Sequence, residues 1–285
     1  MSAIWAGLAL GAIYGLVALG YNIVFVSSGV FNFAHAQLLM LGTFVAFFGT
    51  VTLGLPPWLV FVLAAVVVAL VAVIEERTAI RFVRSTEGLL VTTLGFATLL
   101  DGATQVIWGG EPLQVPFFGP SEVVSVAGGQ VFPVELVLIG AMVLLTIVFV
   151  LVSRFSMLGI AMLAVSEDRE AALMRGINVR AYAVGAFAVA GAVAGALGPL
   201  VGPKTFAVAT LGTALALKGF VAMAIGGFGS APGALIGGLA VGLIEALAGR
   251  YLGQSFATLM VFVALLAVLL FKPTGLFGHA RERVV

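Results

Sequence analysis

The stretch Ala3-Ile-Trp-Ala-Gly-Leu-Ala-Leu-Gly-Ala-Ile-Tyr-Gly-Leu-Val-Ala-Leu-Gly-Tyr-Asn-Ile-Val-Phe-Val26 runs without one charged side chain. It is long enough to cross the hydrocarbon core of a bilayer as a helix, which takes about 20 residues. Similar apolar stretches recur at about 31–50, 57–74, 88–108, 134–152, 181–200, 206–228, 232–249 and 255–271. None alternates apolar and polar residues at period two, so the spans are helices rather than strands of a barrel. The expected fold class is all-α, a polytopic membrane helix bundle of about eight to nine crossings in a single transmembrane domain over residues 1–285.

Composition agrees. Hydrophobic residues make up 62% of the 285 positions and charged ones 9%, where soluble domains carry about 25% charged residues. Mean hydropathy is +1.25. The formal net charge of +1 lacks the clustered Lys and Arg that nucleic acid demands, so no nucleic-acid partner is expected and lipid is. With no cysteine and only His35 and His279, disulfides, thiolate chemistry and a His-rich metal site drop out. The N-terminus has no basic start and no small-residue cleavage site, so the first apolar run reads as a retained span.

Charge sets the sidedness. Arg77, Arg81 and Arg84 lie in the connection at 75–87, and Arg154, Arg169, Arg175 and Arg180 in that at 153–180; both belong in the cytoplasm by the positive-inside rule. The connection at 109–133 holds Glu111 and Glu122 but no Lys or Arg, which suits the outer face, and Lys272, Arg281 and Arg283 return the C-terminus to the cytoplasm. If 31–50 crosses fully, the N-terminus is outside. If 31–50 is re-entrant, it is inside.

Glycine gives a second pattern. Gly7, Gly11 and Gly15 recur at four-residue spacing, as do Gly191 with Gly195, Gly233 with Gly237, and Gly238 with Gly242, the spacing that lets membrane helices approach backbone to backbone. Gly198-Pro-Leu-Val-Gly-Pro-Lys204 and Gly226-Gly-Phe-Gly-Ser-Ala-Pro-Gly233 read as broken or re-entrant helices, because proline removes a donor and glycine weakens the helix. At a membrane surface the same stretches are turns.

Enzymatic signatures are absent. Gly202-Pro-Lys-Thr205 is no phosphate loop, since proline removes an amide the phosphate needs, and Gly227-Phe-Gly229 lacks the third glycine and the preceding strand of a dinucleotide site. No catalytic residues and no cofactor are assigned to the chain itself. Ionisable groups inside the spans are Asp101, Lys218 and Glu245, with Arg250 near a span end. Each costs roughly 2.5–3.5 kcal/mol at a helix centre, so each should face protein; Lys218 has Asp101 or Glu245 as ion-pair partners.

Two further stretches carry candidate function. Gly29-Val-Phe-Asn-Phe-Ala-His-Ala-Gln37 sets Asn32, His35 and Gln37 within apolar sequence. Phe31, Asn32, Phe33, His35 and Gln37 are candidates to line a solute path, although Gln37 points to another helix face than Asn32 and His35. The plainer role for Asn32 is to cap a helix from about Phe33. Ser166-Glu-Asp-Arg-Glu-Ala-Ala-Leu-Met-Arg-Gly-Ile-Asn178 has a cap-like serine, acids in its first turn and Arg175 before Gly176. It reads as a short cytoplasmic helix, either a solvated connector or a docking element for another protein.

Together, Gly29-Val-Phe-Asn-Phe-Ala-His35, Ser166-Glu-Asp with Gly176-Ile-Asn178, Lys218-Gly-Phe with Gly226-Gly-Phe-Gly-Ser-Ala-Pro-Gly-Ala and Gly237-Gly238, and Lys272-Pro-Thr-Gly-Leu-Phe-Gly278 resemble the H-type permease subunits of bacterial branched-chain amino acid ABC transporters. The resemblance spans nearly the whole chain. It implies a multi-pass permease of the bacterial cytoplasmic (inner) membrane that pairs with a second related permease, receives substrate from an extracytoplasmic binding protein, and is driven by two ATP-binding subunits. It further implies that Glu167, Asp168, Arg169, Gly176, Ile177 and Asn178 contact the ATPase through a coupling helix. Lys218 is a further candidate for the path. After Asn32-Phe-Ala-His35 the family continues with glycine and an acidic or small residue, whereas this chain has Ala36 and Gln37. Related permeases for urea and short amides share much of the pattern, so the alternatives are such a cargo, an ion-gradient-driven carrier using Asp101, Lys218 or Glu245, or a passive channel.

Overall fold

A computed structural model describes residues 1–83 and 85–278, without the side chains of Ser166, Glu167 and Arg169. Arg84, His279, Arg281 and Arg283 therefore lie outside the described residues. Helices follow one another as α1 (Ser2–Ser28), α2 (His35–Phe47, continued by a π turn Phe48–Thr52), α3 (Pro57–Glu75, continued by a π turn Glu76–Ile80), α4 (Thr86–Trp108), α5 (Pro133–Phe155), α6 (Met157–Glu167), α7 (Arg169–Met174), α8 (Val179–Thr205), α9 (Leu211–Gly226), α10 (Ala231–Tyr251) and α11 (Gln254–Phe271). A hairpin of β1 (Val124–Val126) and β2 (Gly129–Val131) stands between α4 and α5. Among the described residues, eight helices are long and apolar enough to cross a membrane; α9 is a shorter apolar helix.

The chain forms two compact units. Unit 1 takes residues 1–22, 122–150 and 218–285, and unit 2 takes 23–121 and 151–217. In unit 1 the glycine ladder of α1 meets that of α10 in antiparallel order. A Cβ on Gly7 would lie 2.8 Å from Ala246 Cβ, one on Gly11 2.7 Å from the Gly238 carbonyl, and one on Gly15 3.1 Å from the Ala234 carbonyl. At Gly7 and Gly11 only glycine allows that approach. At the start of α1, Trp5 Nε1 donates to the Val126 carbonyl (3.2 Å) and Ser2 Oγ accepts from Gln130 N–H (3.1 Å), which ties the N-terminus to the hairpin. The two-residue turn Ala127-Gly128, with both φ positive, is the mirror-image type that hairpin twist favours.

Unit 2 repeats the principle on α8. A Cβ on Gly191 would lie 2.5 Å from Ala72 Cβ of α3, and one on Gly42 of α2 3.0 Å from the Ala194 carbonyl. Along α3 the buried stripe Val60, Ala64, Val68 and Ala72 steps by four, while Val62, Val66, Leu70 and Ile74 face outward. An outward apolar face is what hydrocarbon requires.

Three expectations are corrected. Gly198–Lys204 is not a break: α8 runs through Pro199 and Pro203 to Thr205. A proline ring clashes with the Cβ of the residue before it in helical conformation, and here that residue is glycine both times, Gly198 and Gly202. The apolar run at 206–228 is helical only from Leu211, because Phe206 takes a positive φ and Ala207 pairs with Leu113 through two 2.9 Å backbone bonds. The polar segment at 166–178 is split, with Asp168 rather than Ser166 capping α7. At Gly226–Gly233 the helix does stop, and the interruption is the turn between α9 and α10: Gly227 and Gly229 have positive φ, and the Ile225 and Gly226 carbonyls freed there accept from Leu276 and Phe277 N–H at 2.8 Å.

Enlarging Gly238 to leucine should lower the folded, detergent-stable yield sharply, by more than the about 1–3 kcal/mol of ordinary overpacking, because backbone rather than a mobile side chain blocks the space. Gly140, with open space around it, should tolerate the same change. Size-exclusion profiles of fluorescent fusions measure both.

Candidate functional site

The Gly29–Gln37 segment is built from short local bonds. Gly29 turns the chain at φ +70, Ser28 Oγ accepts from Val30 N–H at 3.2 Å, and Asn32 Oδ1 accepts from Ala34 N–H at 2.9 Å. Asn32 thus forms a turn that launches α2 at His35, two residues later than a cap on Phe33 implies. Phe31 and Phe33 meet edge to face, centroids 4.4 Å apart, and both are partly exposed, whereas Asn32, His35 and Gln37 are buried.

The three polar residues look to different neighbours. Asn32 faces Glu75 of α3 without reaching hydrogen-bond geometry, so its Nδ2 and both Glu75 carboxylate oxygens have no hydrogen-bond partner among the described residues. Gln37 faces Asp101 of α4, whose Oδ2 accepts from Thr213 Oγ1 of α9 at 3.0 Å. Gly212 admits Gln37 closely, since a Cβ there would lie 2.7 Å from Gln37 Cγ. The first turn of α2 therefore gathers an amide–carboxylate pair on each of two sides. Each can offer a donor and an acceptor to a small polar solute, and all six residues belong to unit 2.

Glu75 escapes a reading of the sequence that ends the third span at 74. The signal is present nonetheless, because Glu75 continues the buried stripe three residues beyond Ala72.

Lys218 belongs to unit 1. It is paired with Glu245 of α10, lies 3.2 Å from Tyr14 Oη, and Tyr14 Oη in turn donates to Glu245 Oε2 at 2.8 Å. The arrangement closes a triad across α1, α9 and α10. Of the two partners offered by the sequence, the structure selects Glu245.

The cytoplasm-assigned segment is a chain of caps. Ser156 accepts from Gly159 N–H at 2.9 Å to start α6. Asp168 accepts from Glu170 and Ala171 N–H, both at 2.9 Å, to start α7. Gly176 ends α7 at φ +80, and Asn178 accepts from Ala181 N–H at 3.1 Å to start α8. Val165, Ala172 and Val179 pack with Ile177 into a small core under α7. The side chains of Glu167 and Arg169 lie outside the described residues. Leu173 and Met174, which the sequence pattern does not single out, have side chains that are 54% and 84% exposed. Among the described residues no three His, Asp or Glu side chains converge as a metal site.

Comparison with known proteins follows the same outline. Residues 3–271 match the family model described as "Branched-chain amino acid transport system / permease component". The chain is 31% identical to the high-affinity branched-chain amino acid transport system permease protein LivH of Escherichia coli (strain K12), over 96% of this chain and 94% of that one. It is equally similar, at the same coverage, to the corresponding permease protein BraD of Pseudomonas aeruginosa. A probable LivH of Methanocaldococcus jannaschii is 28% identical over 92% of this chain. The solved structure of PsaBC from Streptococcus pneumoniae in complex with Fab shares the fold, with a TM-score of 0.51 at 13% identity, covering 96% of this chain and 93% of that one.

Removing one member of the Lys218–Glu245 pair leaves the other charge uncompensated, which costs about 3–5 kcal/mol when buried. Lys218→Met alone and Glu245→Leu alone should each reduce thermal stability in detergent, and the double substitution should recover most of the loss. Parallel melting curves give the coupling.

Proposed function

Because the chain belongs to the permease components of branched-chain amino acid transport systems, we propose that it is the membrane-spanning subunit of an ATP-driven importer for branched-chain or closely related amino acids. The observation that carries this reading is the match over residues 3–271, which includes every helix long and apolar enough to cross. ATP is hydrolysed by two separate subunits, a second related permease completes the pathway, and an extracytoplasmic binding protein delivers the cargo. The assembly sits in a bacterial cytoplasmic membrane.

Sidedness is supported by charge and contact together. The connection from α4 to α5 lacks Lys and Arg, which suits the outer face; the start of α1 bonds to the hairpin within it. The N-terminus is then outside, α2 crosses, and α9 makes the ninth pass despite its shortness. The α3–α4 connection and the α6–α7 segment face the cytoplasm.

Transport proceeds by alternating access. Movement of the ATPases is received at residues 166–178, where α7 offers Leu173 and Met174 outward and is fixed to α6 and α8 by the small core beneath it. Packed helices switch between discrete arrangements rather than deform, so glycine-tight helix pairs move as rigid bodies. Phe31, Asn32, Phe33, His35 and Gln37 line the path of the solute. Lys218 serves it indirectly, by holding α9 against α10.

Proteoliposomes containing the whole assembly should accumulate labelled leucine only with ATP inside and the binding protein outside. Uptake that persists without ATP and collapses with the proton gradient would replace this reading with the ion-coupled carrier.

Asn32→Ala and His35→Ala should lower uptake more than membrane abundance; a fall in abundance alone would return both residues to a packing role. Gly176→Leu forces a side chain into a left-handed backbone position, a cost of about 1–2 kcal/mol in open space. It should leave insertion intact while ATP hydrolysis no longer drives uptake, measured side by side in vesicles.

A further inference from the structure

Unit 2 contains a partly open cavity of about 610 Å³, within the roughly 300–1,000 Å³ typical of small-ligand sites. Its walls are the end of α1, the π turn after α3, the start of α4, the first turn of α7 and the first turns of α8. It lies apart from the Asn32, His35 and Gln37 side chains, none of which lines it.

Chemistry is unequally arranged on those walls. Glu76 and Glu170 supply carboxylates, Arg81 and Arg180 supply guanidinium groups, and Val30, Ile80, Val83, Leu89 and Val179 supply aliphatic surface. Glu76 is 5% exposed, and its Oε2 has no hydrogen-bond partner among the described residues. A buried carboxylate oxygen in that condition calls for a donor. The π turn puts it there: Arg81 N–H bonds to the Glu76 carbonyl five residues back, the widened turn that often marks functional positions.

We propose that this cavity binds a free amino acid with an aliphatic side chain, taken from the cytoplasmic side. Glu76 accepts the ammonium group, Arg180 the carboxylate, and the valine and leucine wall the side chain. Among the described wall residues, a ligand carrying only negative charge would meet two carboxylates, and one carrying only positive charge would meet two guanidinium groups. A zwitterion satisfies both. The choice of ligand rests on the reading of the chain as an amino acid permease.

Occupancy has a consequence for the cycle. Val179 lines the cavity and also belongs to the small core that fixes α7, and Glu170 of α7 is itself a wall residue. A bound amino acid links the α3 end to α7 and α8 and holds the segment that receives the power stroke. Product accumulating in the cytoplasm thereby slows its own import.

The test uses the assembled transporter in lipid nanodiscs without the external binding protein, with labelled leucine as probe. Saturable binding is expected. Because each lost charged contact weakens a complex by about tenfold or more, 3-methylbutylamine and 4-methylpentanoate should compete at least that much less well than leucine. Glu76→Gln and Arg180→Gln should weaken binding comparably, while uptake into vesicles that start free of amino acid is unchanged. Preloading the cytoplasmic side with leucine should slow uptake by the unmodified transporter and not by the two variants. Absence of saturable binding, competition indifferent to the ammonium group, or binding unmoved by both substitutions would overturn the proposal; the analogue series decides even if a variant fails to fold. If uptake of leucine proceeds normally and only these results fail, the cavity assignment alone falls. If leucine, isoleucine and valine are not taken up at all with ATP and binding protein present, the substrate reading falls and this ligand with it.

Discussion

Two helices immersed in hydrocarbon gain nothing from hiding apolar side chains from each other, because lipid is as apolar as they are. What holds them must come from dense contact and from polar groups that have nowhere else to go. The chain meets that constraint in both units by stripping side chains from facing surfaces. In unit 1 the carbonyls of Gly238 and Gly242 sit where side chains of α1 would otherwise stand, and in unit 2 α8 presents Gly191, Gly195 and Gly198 to α2 and α3. On the outer faces of α3 and α11 large apolar side chains meet the surroundings, Leu259, Leu266 and Leu270 of α11 among them.

Polar groups are the second adhesive and the more selective one. The Tyr14–Lys218–Glu245 triad satisfies its own members and so reads as structure. The amide–carboxylate pairs around the start of α2 do not, since Asn32, Gln37, Glu75 and Asp101 each keep an atom without a hydrogen-bond partner among the described residues. A group left unsatisfied in a buried position costs about 1–3 kcal/mol, a cost that the proposed solute path explains by letting cargo supply the missing bond.

Much of the architecture was legible in the chain because hydropathy over long windows is set by the solvent alone. The eight long spans follow from that, while the glycine contacts and the interruption after Gly226 follow from the spacing of glycine and proline. Pro199 and Pro203 read as breaks in the sequence, yet α8 continues through both; the glycine before each lacks the Cβ that the proline ring would strike. The end of α3 was misjudged for the opposite reason: Glu75 and Glu76 look like the start of a hydrophilic loop, yet the helix carries them inward on its buried stripe. Side-chain partners were the least legible part. Spacing along one helix says which face a residue occupies, and it cannot say that Asn32 meets Glu75 while Gln37 meets Asp101.

The pairing of α1 with the last third of the chain bears on how the molecule is made. Tyr14 and Glu245 are separated by 231 positions, and Asn22, near the other end of α1, bonds to Gly229 and Ser230. At ribosomal speeds of about 5–20 residues per second, the first helix waits on the order of ten seconds to under a minute before its phenol and amide find their mates. During that interval a nearly bare glycine surface and two unsatisfied side chains stand in the bilayer. The contacts that complete α1 are therefore among the last the growing chain can make.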